Sequence, residues 1–273
     1  MAISGRSAIL YAEVHDVTML GNPSVQDAFL RKLRVLLPAA RPVVVCDAGF
    51  HGDFFRTITA LGWDFVARIR GTAQFFCAGA THTKKSLYRK ASSRPLDFPG
   101  SELYVRRSIK CRLVLVRRPH SRRRSKPTAN KEKLEYRKAA RDPWLLATSL
   151  EKHTAEQIIS LYGMRMQIEE SFRDAKSGAY GLGLNETRSR SRARLAVKLL
   201  IAALALAAAQ LIGIDAEERS LHRSLQANST SNRRVLSLVR LGLEVVKRVI
   251  HELTPSSLRD GLAAMRPLIR GDP

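Results

Sequence analysis

Residues 161–176 read LYGMRMQIEESFRDAK, and their polar residues recur at helical spacing. In one continuous helix, steps of 3, 4 and 7 residues would align four polar side chains within about 60° of one another. These side chains are Tyr162, Arg165, Glu169 and Lys176. Leu161, Ile168 and Phe172 would gather beside that row, where they could pack on a core. The stretch therefore predicts an amphipathic helix with one polar row.

The predicted helix has a signal at each end. Thr154 is followed three residues later by Gln157, which is the pattern of a capping box at a helix start. Ser177 and Gly178 follow Lys176 directly and are typical of a helix end. The sequence therefore predicts one helix between these two signals.

Short apolar runs alternate with helical patterns in the first quarter of the chain. Strands are predicted at 7–14, 41–47 and 63–71, and helices at 24–37 and 52–62. This β-α-β-α-β order is typical of a layered α/β core. Further along, a hairpin is predicted at 102–109 and 111–118, a strand at 143–150, and helices around 233–252 and 256–269.

The net charge is the strongest feature of the whole chain. The 273 residues contain 47 Lys and Arg against 24 Asp and Glu, so the net charge is +23. Such an excess of positive charge repels itself and indicates a polyanionic partner, most often a nucleic acid. Residues 106–141 contain 15 basic and two acidic residues. The basic loop at 117–141 is therefore predicted to bind phosphates without sequence specificity.

Composition also bears on the compartment. The three cysteines have neither CxxC spacing nor an even number, and they suit a reducing cytosol. The first ten residues, MAISGRSAIL, do not form the apolar core of a signal peptide. Residues 195–214 are long enough to span a bilayer, but Lys198 and Gln210 interrupt them. We therefore expect a buried core helix there rather than a membrane span.

Two carboxylates are candidates for chemistry. Asp47 ends a predicted buried strand, where open α/β sheets place their active sites, although a lone aspartate at a strand end more often just opens a turn, here DAGF. Carboxylates without His or Cys partners suit Mg²⁺ or Mn²⁺. Two such ions can activate water and stabilise the leaving oxygen in phosphodiester cleavage. Arg165 and Lys176, which flank Glu169 on the predicted helix, would then contact the phosphates of the substrate.

The polar row resembles a known family signature. Its four residues, with two, three and six residues between them, resemble the YREK signature of bacterial insertion-sequence transposases of the DDE class, the IS-four type. Three other segments are similar to segments of that family and occur in the same order. They are VVVCDAGFHGDFF, GWDFVARIRG and PWLLATSL. The resemblance covers essentially the whole chain.

This resemblance implies an α/β fold with an RNase H-like catalytic core, a β-rich insertion and a helical C-terminal tail. Residues 1–71 would form the first part of the core and 144–215 its second part. The insertion would occupy 72–143, and the tail 216–273. The family's first aspartate has no counterpart, since no acidic residue precedes Glu13. We therefore expect a core that lacks its first strand, in a chain truncated at its N-terminus.

The resemblance also implies roles for individual residues. Asp47 and Glu169 would bind Mg²⁺ or Mn²⁺, and Tyr162, Arg165 and Lys176 would contact DNA phosphates near the cut. Trp144 would stack on a base flipped out of the transposon end, although a core position would suit it equally well. Arg68 and Arg70 share one face of their predicted strand, which would line either the DNA channel or an exposed sheet surface.

The implied function is metal-dependent cleavage of transposon ends and strand transfer to target DNA. The implied partners are double-stranded DNA and a second copy of the chain in a synaptic complex, in the bacterial cytoplasm at the nucleoid and away from membranes. The missing aspartate predicts an inactive chain and leaves open a non-catalytic DNA-binding remnant. A basic RNA-binding protein is the third alternative, and the aligned polar row argues against it.

Overall fold

The computed structural model describes residues 2–3, 6–71, 73–104, 107–118, 142–178, 182–187, 189, 191–227, 229–230, 233–248, 253–254 and 256–270. The chain is mixed α/β, as the sequence predicts, and it divides into two compact units. The sheet unit is Gly21–Gly163. The helical unit combines Met1–Leu20 with Met164–Pro273.

The sheet unit is built on one seven-stranded sheet. Its strands are β3 (Val43–Cys46), β4 (Asp64–Arg68), β5 (Gln74–Cys77), β6 (Ala80–Thr83), β7 (Leu96–Leu103), β8 (Ile109–Val116) and β9 (Trp144–Thr148). Its helices are α1 (Pro23–Leu36), α2 (Gly52–Ala60), α3 (Lys84–Tyr88) and α4 (Ala155–Gly163). The segment predicted as an insertion therefore supplies strands to the same sheet as the segments predicted as core.

The strand order of the sheet is β3-β4-β9-β8-β7-β5-β6. β3 and β4 are parallel, with Val43 opposite Asp64, and all the other pairs are antiparallel. β3 lies at one end of this order and pairs with β4 alone among the described strands. The end of β3, where Asp47 follows, is therefore at an edge of the sheet.

Both faces of the central strands are buried. On β8, Leu113 and Leu115 face one hydrophobic cluster with α1 and α2, whereas Val114 and Val116 face a second cluster with α4. This alternation follows from the two-residue period of a strand. The sheet is thus covered by helices on both sides, which explains why its central strands are apolar at nearly every position.

One predicted strand is absent, and another has different bounds. Residues 8–14 do not form a strand: the described pairing in this region is limited to a two-residue ladder between β1 (Ala2–Ile3) and β2 (Arg6–Ser7), in the helical unit. The hairpin prediction is correct, but its first strand ends at Leu103 instead of residue 109. The turn contains Tyr104 and Arg107 at φ +68° and +53°. Non-glycine residues in this conformation carry no turn signal in a sequence.

The helical unit is held together by close helix packing. Its helices are α5 (Met166–Lys176), α6 (Arg192–Glu218), α7 (His222–Leu225), α8 (Leu238–Arg248) and α9 (Ser257–Arg270). Gly242 of α8 lies against the carbonyl of Ala209, and Gly213 of α6 lies against the carbonyl of Leu238. A side chain at either glycine would overlap the opposite backbone. The missing side chains allow α6 and α8 to approach closely.

The helix predicted between residues 154 and 177 is interrupted. The capping box is confirmed, since the Thr154 amide donates to Gln157 Oε1 at 2.8 Å and the Gln157 amide donates to Thr154 Oγ1 at 3.2 Å. However, α4 ends at Gly163, and α5 begins at Met166. At this junction the Gln167 amide donates to the carbonyl three residues earlier, at 2.9 Å. The turn is therefore tightened as in a 3₁₀ helix.

The long helix α6 is half buried and half exposed. By length and composition it could cross a membrane, and 22% of its most apolar window is buried. Its second half contains Leu206 and Ala209, which pack with α8 as in a core helix. The expectation of a buried helix is wrong for the first half, where four aliphatic side chains are 58–64% exposed. They are Val197, Leu200, Ile201 and Leu204.

Candidate functional site

Asp47 lies directly after β3 and is exposed. Its Oδ1 accepts a hydrogen bond from the Gly49 amide at 3.0 Å, so the residue does open the DAGF turn. This turn holds the carboxylate at the strand end. The turn and a binding role therefore do not exclude each other, because an exposed carboxylate fixed by one hydrogen bond can still meet a ligand.

Arg68 and Arg70 lie in different surroundings at the end of β4. Arg68 is 8% exposed and donates from Nη2 to the carbonyl of Asp142 at 3.0 Å. Burial, and after it the charge of Arg70, lower the pKa of Arg68. Arg70 is half-buried and lines a cavity of about 750 Å³. Arg70 is therefore better placed than Arg68 to meet a ligand in solution.

Trp144 and Tyr162 form one aromatic contact. Their ring centroids are 4.8 Å apart at an interplanar angle of 78°, which is an edge-to-face arrangement. Tyr162 is 3% exposed and belongs to the cluster between the sheet and α4, against which the half-buried Trp144 packs. The guanidinium of Arg118 lies 5.1 Å from the centre of the Trp144 ring. Trp144 thus has one side in the core and a cation against its ring.

The helix α5 separates small buried residues from charged exposed ones. Ser171 and Ala175 are 4% and 3% exposed. The Ser7 amide donates to Ser171 Oγ at 2.8 Å, and Arg6 forms an ion pair with Asp174 at 2.6 Å. Small side chains allow the backbone of β2 to approach this face of α5. The face that was expected to be apolar is instead exposed, since Ile168 and Phe172 are 44% and 42% exposed.

The charged face of α5 brings three of the predicted residues together. Arg165 Nη1 lies 2.7 Å from Glu169 Oε1, and the Glu169 side chain is 41% exposed. Glu169 and Lys176 line one hollow of about 540 Å³. Glu169 also lies in the first turn of α5, where a helix stabilises negative charge. An anionic ligand at this hollow would meet Arg173 and Lys176 beside the Glu169 carboxylate.

The predicted row of four is therefore correct for three residues and wrong for Tyr162. A common row requires one continuous helix, but Tyr162 belongs to α4 in the sheet unit and is buried. Arg165, Glu169 and Lys176 belong to the helical unit. Asp47 lies in the sheet unit. The prediction that Asp47 and Glu169 form one site stays a prediction.

Carboxylate oxygens are suitable ligands for Mg²⁺ or Mn²⁺, but only two carboxylates, those of Asp47 and Glu169, are predicted to bind them here. Within the described ranges no three His, Cys, Asp or Glu side chains come together in a way that could hold a metal ion. Glu169 is engaged with Arg165. Neither unit by itself therefore fits a complete metal site.

Sequence reasoning missed one member of the charged face. Arg173 lines the same hollow as Glu169 and Lys176, and its Nη1 lies 2.6 Å from Glu170 Oε2. It follows Glu169 by four residues, a spacing that places two side chains on one face of a helix, so the signal was present. The basic loop predicted at 117–141 falls almost wholly on residues 119–141, outside the described part of the chain.

Comparison with known proteins identifies the domain. The family model described as "Transposase DDE domain" matches residues 6–207, about three quarters of the chain. A search of the curated proteins found no match. The matched range contains both Asp47 and the whole of α5.

Proposed function

The chain belongs to the family of transposase DDE domains, and from this membership we propose that it is the transposase polypeptide of a bacterial insertion sequence of the YREK type. Its substrate is double-stranded DNA, namely transposon ends and a target. The family assignment, together with a net charge of +23, supports this proposal over an RNA-binding protein. The α/β fold is compatible with an RNase H-like core.

The observation that carries the proposal is the charged face of α5. Arg165 and Glu169 are in contact there, and Lys176 borders the same hollow as Glu169. All three side chains reach solvent and can therefore meet a ligand that carries negative charge. Phosphates of DNA bound at Arg165 and Lys176 would bring a backbone strand beside the Glu169 carboxylate.

The proposed chemistry is cleavage and strand transfer that depend on Mg²⁺ or Mn²⁺, with Asp47 and Glu169 as ligands. DDE transposases generally use divalent metal ions, and two carboxylates are a small number of anions for such ions. We therefore propose that this chain by itself binds DNA without cutting it. The second candidate is a non-catalytic DNA-binding remnant.

The burial of the remaining candidate residues suggests which of them contact DNA and which of them position others. Arg165, Lys176 and Arg70 reach solvent and are proposed to contact phosphates. Trp144, half-buried with Arg118 over its ring, is proposed to stack on a base. Tyr162 and Arg68 are almost inaccessible, so they are proposed to position Trp144 and the end of β4 rather than to touch DNA. A homodimer at the nucleoid, with no role at a membrane, completes the proposal.

The test is DNA binding as a function of salt. Many phosphate contacts release many counterions, so the affinity for a labelled duplex should fall steeply between about 50 and 300 mM salt. Fluorescence anisotropy measures this directly. An affinity that does not change with salt would contradict the proposed function.

A cleavage assay tests whether this chain is by itself an active enzyme. The chain is incubated with supercoiled DNA that carries the transposon end and with Mg²⁺ or Mn²⁺, and the Glu169→Gln variant serves as the control. Nicking by the wild type and not by the variant would establish an active enzyme. DNA binding without nicking in either protein supports the chain as a DNA-binding polypeptide that needs a further carboxylate.

A further inference from the structure

A cavity in the sheet unit carries a second group of cations, in addition to those on α5. It has a volume of about 750 Å³ and lies where the start of α2, the end of β4 and the β7–β8 turn meet. Three arginines line it, namely Arg56, Arg70 and Arg107. Asp53 is its single acidic lining residue, so the described lining carries a net charge of +2.

The contacts around Asp53 hold two of these arginines in place. Arg56 Nη1 lies 2.9 Å from Asp53 Oδ1, and Arg107 Nη2 lies 3.4 Å from the same oxygen. Arg56 also donates a hydrogen bond to the carbonyl of Arg107. One carboxylate therefore orients two guanidinium groups and neutralises only one of them.

The backbone is shaped to bring these groups to the cavity. A side chain at Gly52 would lie 3.1 Å from Arg56 Nη1 and 3.3 Å from the Tyr104 ring, so the glycine leaves space for both. Arg107 adopts φ +53° in the turn between β7 and β8. Its side chain is 74% exposed, and that of Arg56 is 31% exposed. Both guanidinium groups can therefore reach a ligand from solution.

We propose that the arginine cavity (Arg56, Arg70 and Arg107) binds phosphates of the DNA backbone. This inference rests on the proposed function, because the net charge of the chain and its family favour DNA over a free nucleotide as the polyanion. Guanidinium groups form paired hydrogen bonds with phosphate oxygens, which suits a site lined by three of them. The cavity adds a DNA contact on the sheet unit, separate from the charged face of α5.

The test compares variants that lose the same charge. Arg107→Gln and the double variant Arg56→Gln/Arg107→Gln remove guanidinium groups from the cavity. The control Arg31→Gln removes an arginine of the same unit, which is 65% exposed and pairs with Asp27 at 2.8 Å outside the cavity. Affinity for a labelled duplex of mixed sequence is measured by anisotropy across the salt series, and thermal unfolding confirms that each variant folds.

We expect Arg107→Gln to weaken binding several-fold and to reduce the magnitude of the slope of log affinity against log salt by about one. The double variant should reduce the magnitude of that slope by about two. Arg31→Gln should leave the slope unchanged. Equal slopes for the double variant and the control, with the wild type binding DNA, would overturn this inference alone. If the double variant does not fold, the salt slope of Arg107→Gln is compared with that of Arg31→Gln instead, and equal slopes would again overturn the inference. A wild type without salt-dependent binding would overturn the proposed function itself.

Discussion

At the scale of single residues, Arg165 has two possible anionic partners, the Glu169 carboxylate and a phosphate of bound DNA. The carboxylate is stabilised by the guanidinium at 2.7 Å and by its place in the first turn of α5. The same guanidinium is proposed to contact a phosphate. A ligand phosphate and Glu169 would therefore compete for Arg165. Removing the arginine should weaken DNA binding, whereas removing the charge of Glu169 should not weaken it.

We predict that Arg165→Ala weakens DNA binding several-fold and lowers the salt slope by about one, because a phosphate contact is lost. Glu169→Gln should leave affinity equal or higher, since it frees the guanidinium and removes a negative charge. Anisotropy with duplex DNA measures both. Arg248→Ala is the matched control: it removes an exposed arginine of the same unit that pairs with Glu244 at 2.7 Å. Equal effects of Arg165→Ala and Arg248→Ala would contradict the prediction.

The buried thiols predict how stability depends on pH. Burial raises the pKa of Cys46 and of Cys111 to about 12, and the charge of Asp47 adds to the effect at Cys46. An unfolded thiol ionises at about 8.5. The pKa of each thiol is higher in the folded protein than in the unfolded one. Its contribution to the free energy of unfolding is therefore complete below about pH 8.5 and is lost as pH rises toward about 12.

We therefore expect the free energy of unfolding, measured by urea denaturation, to fall between about pH 8.5 and 11, by up to roughly 1.4 kcal/mol per pH unit for each thiol. Cys46→Ala should reduce this fall. The native thiols should also react with a thiol reagent far more slowly than the unfolded ones, since all three cysteines are buried. Fast labelling of the native protein at neutral pH would show that the thiols are accessible.

At the scale of elements, helix packing in the helical unit depends on glycines as well as on large aliphatic side chains. Gly213 and Gly242 lie where α6 and α8 touch, and Gly261 of α9 lies against the carbonyl of Leu211. Each glycine reduces helix propensity by about 1 kcal/mol relative to alanine. Close backbone approach at three positions of α6 offsets that loss through packing.

Gly242→Ala should destabilise the protein by roughly 1–3 kcal/mol, because its methyl group would overlap the carbonyl of Ala209 and force the helices apart. The measurement is chemical denaturation followed by circular dichroism. Gly163→Ala is the control, since nothing lies within 4 Å of a side chain added there. A control that destabilises as much as Gly242→Ala would show that the effect is not due to helix packing.

At the scale of the whole molecule, the two carboxylates belong to different units, and β3 forms an edge of the sheet. The backbone groups on the outer side of Val43–Cys46 have no strand partner among the described residues. An edge of this kind, made of three consecutive valines, invites pairing with another chain.

We predict that the chain does not nick its cognate transposon end with Mg²⁺ or Mn²⁺, and that it associates or aggregates through β3 as its concentration rises. Gel assays of supercoiled DNA test the first statement, and light scattering tests the second. Val44→Lys should reduce association, because a charged edge strand pairs poorly. Specific nicking by a monomer would show that another acid takes part. Asp16, which forms an ion pair with Arg192 at 2.9 Å, is the candidate.

Local patterns were sufficient for much of the sheet unit. The sequence alone predicted α1, α2, β3, β4, β9 and the Thr154–Gln157 cap, because hydrophobic periodicity and capping depend on residues close in the chain. It also placed Glu169 between two cations, because a spacing of four or seven residues on a helix is enough to do so.

Tertiary structure decided what local patterns could not. Residues 6–7 pair with β1 and contact α5 because Ser171 and Ala175 are small, whereas the run 7–14 alone resembles a strand. The helix is interrupted before Met166. Tyr162, in the helix before the break, is buried against Trp144, whereas Glu169, in the helix after it, lies on an exposed face. Each of these outcomes depends on contacts between residues far apart in the chain. The sequence therefore determined which side chains could do chemistry, and long-range packing determined which of them reach solvent.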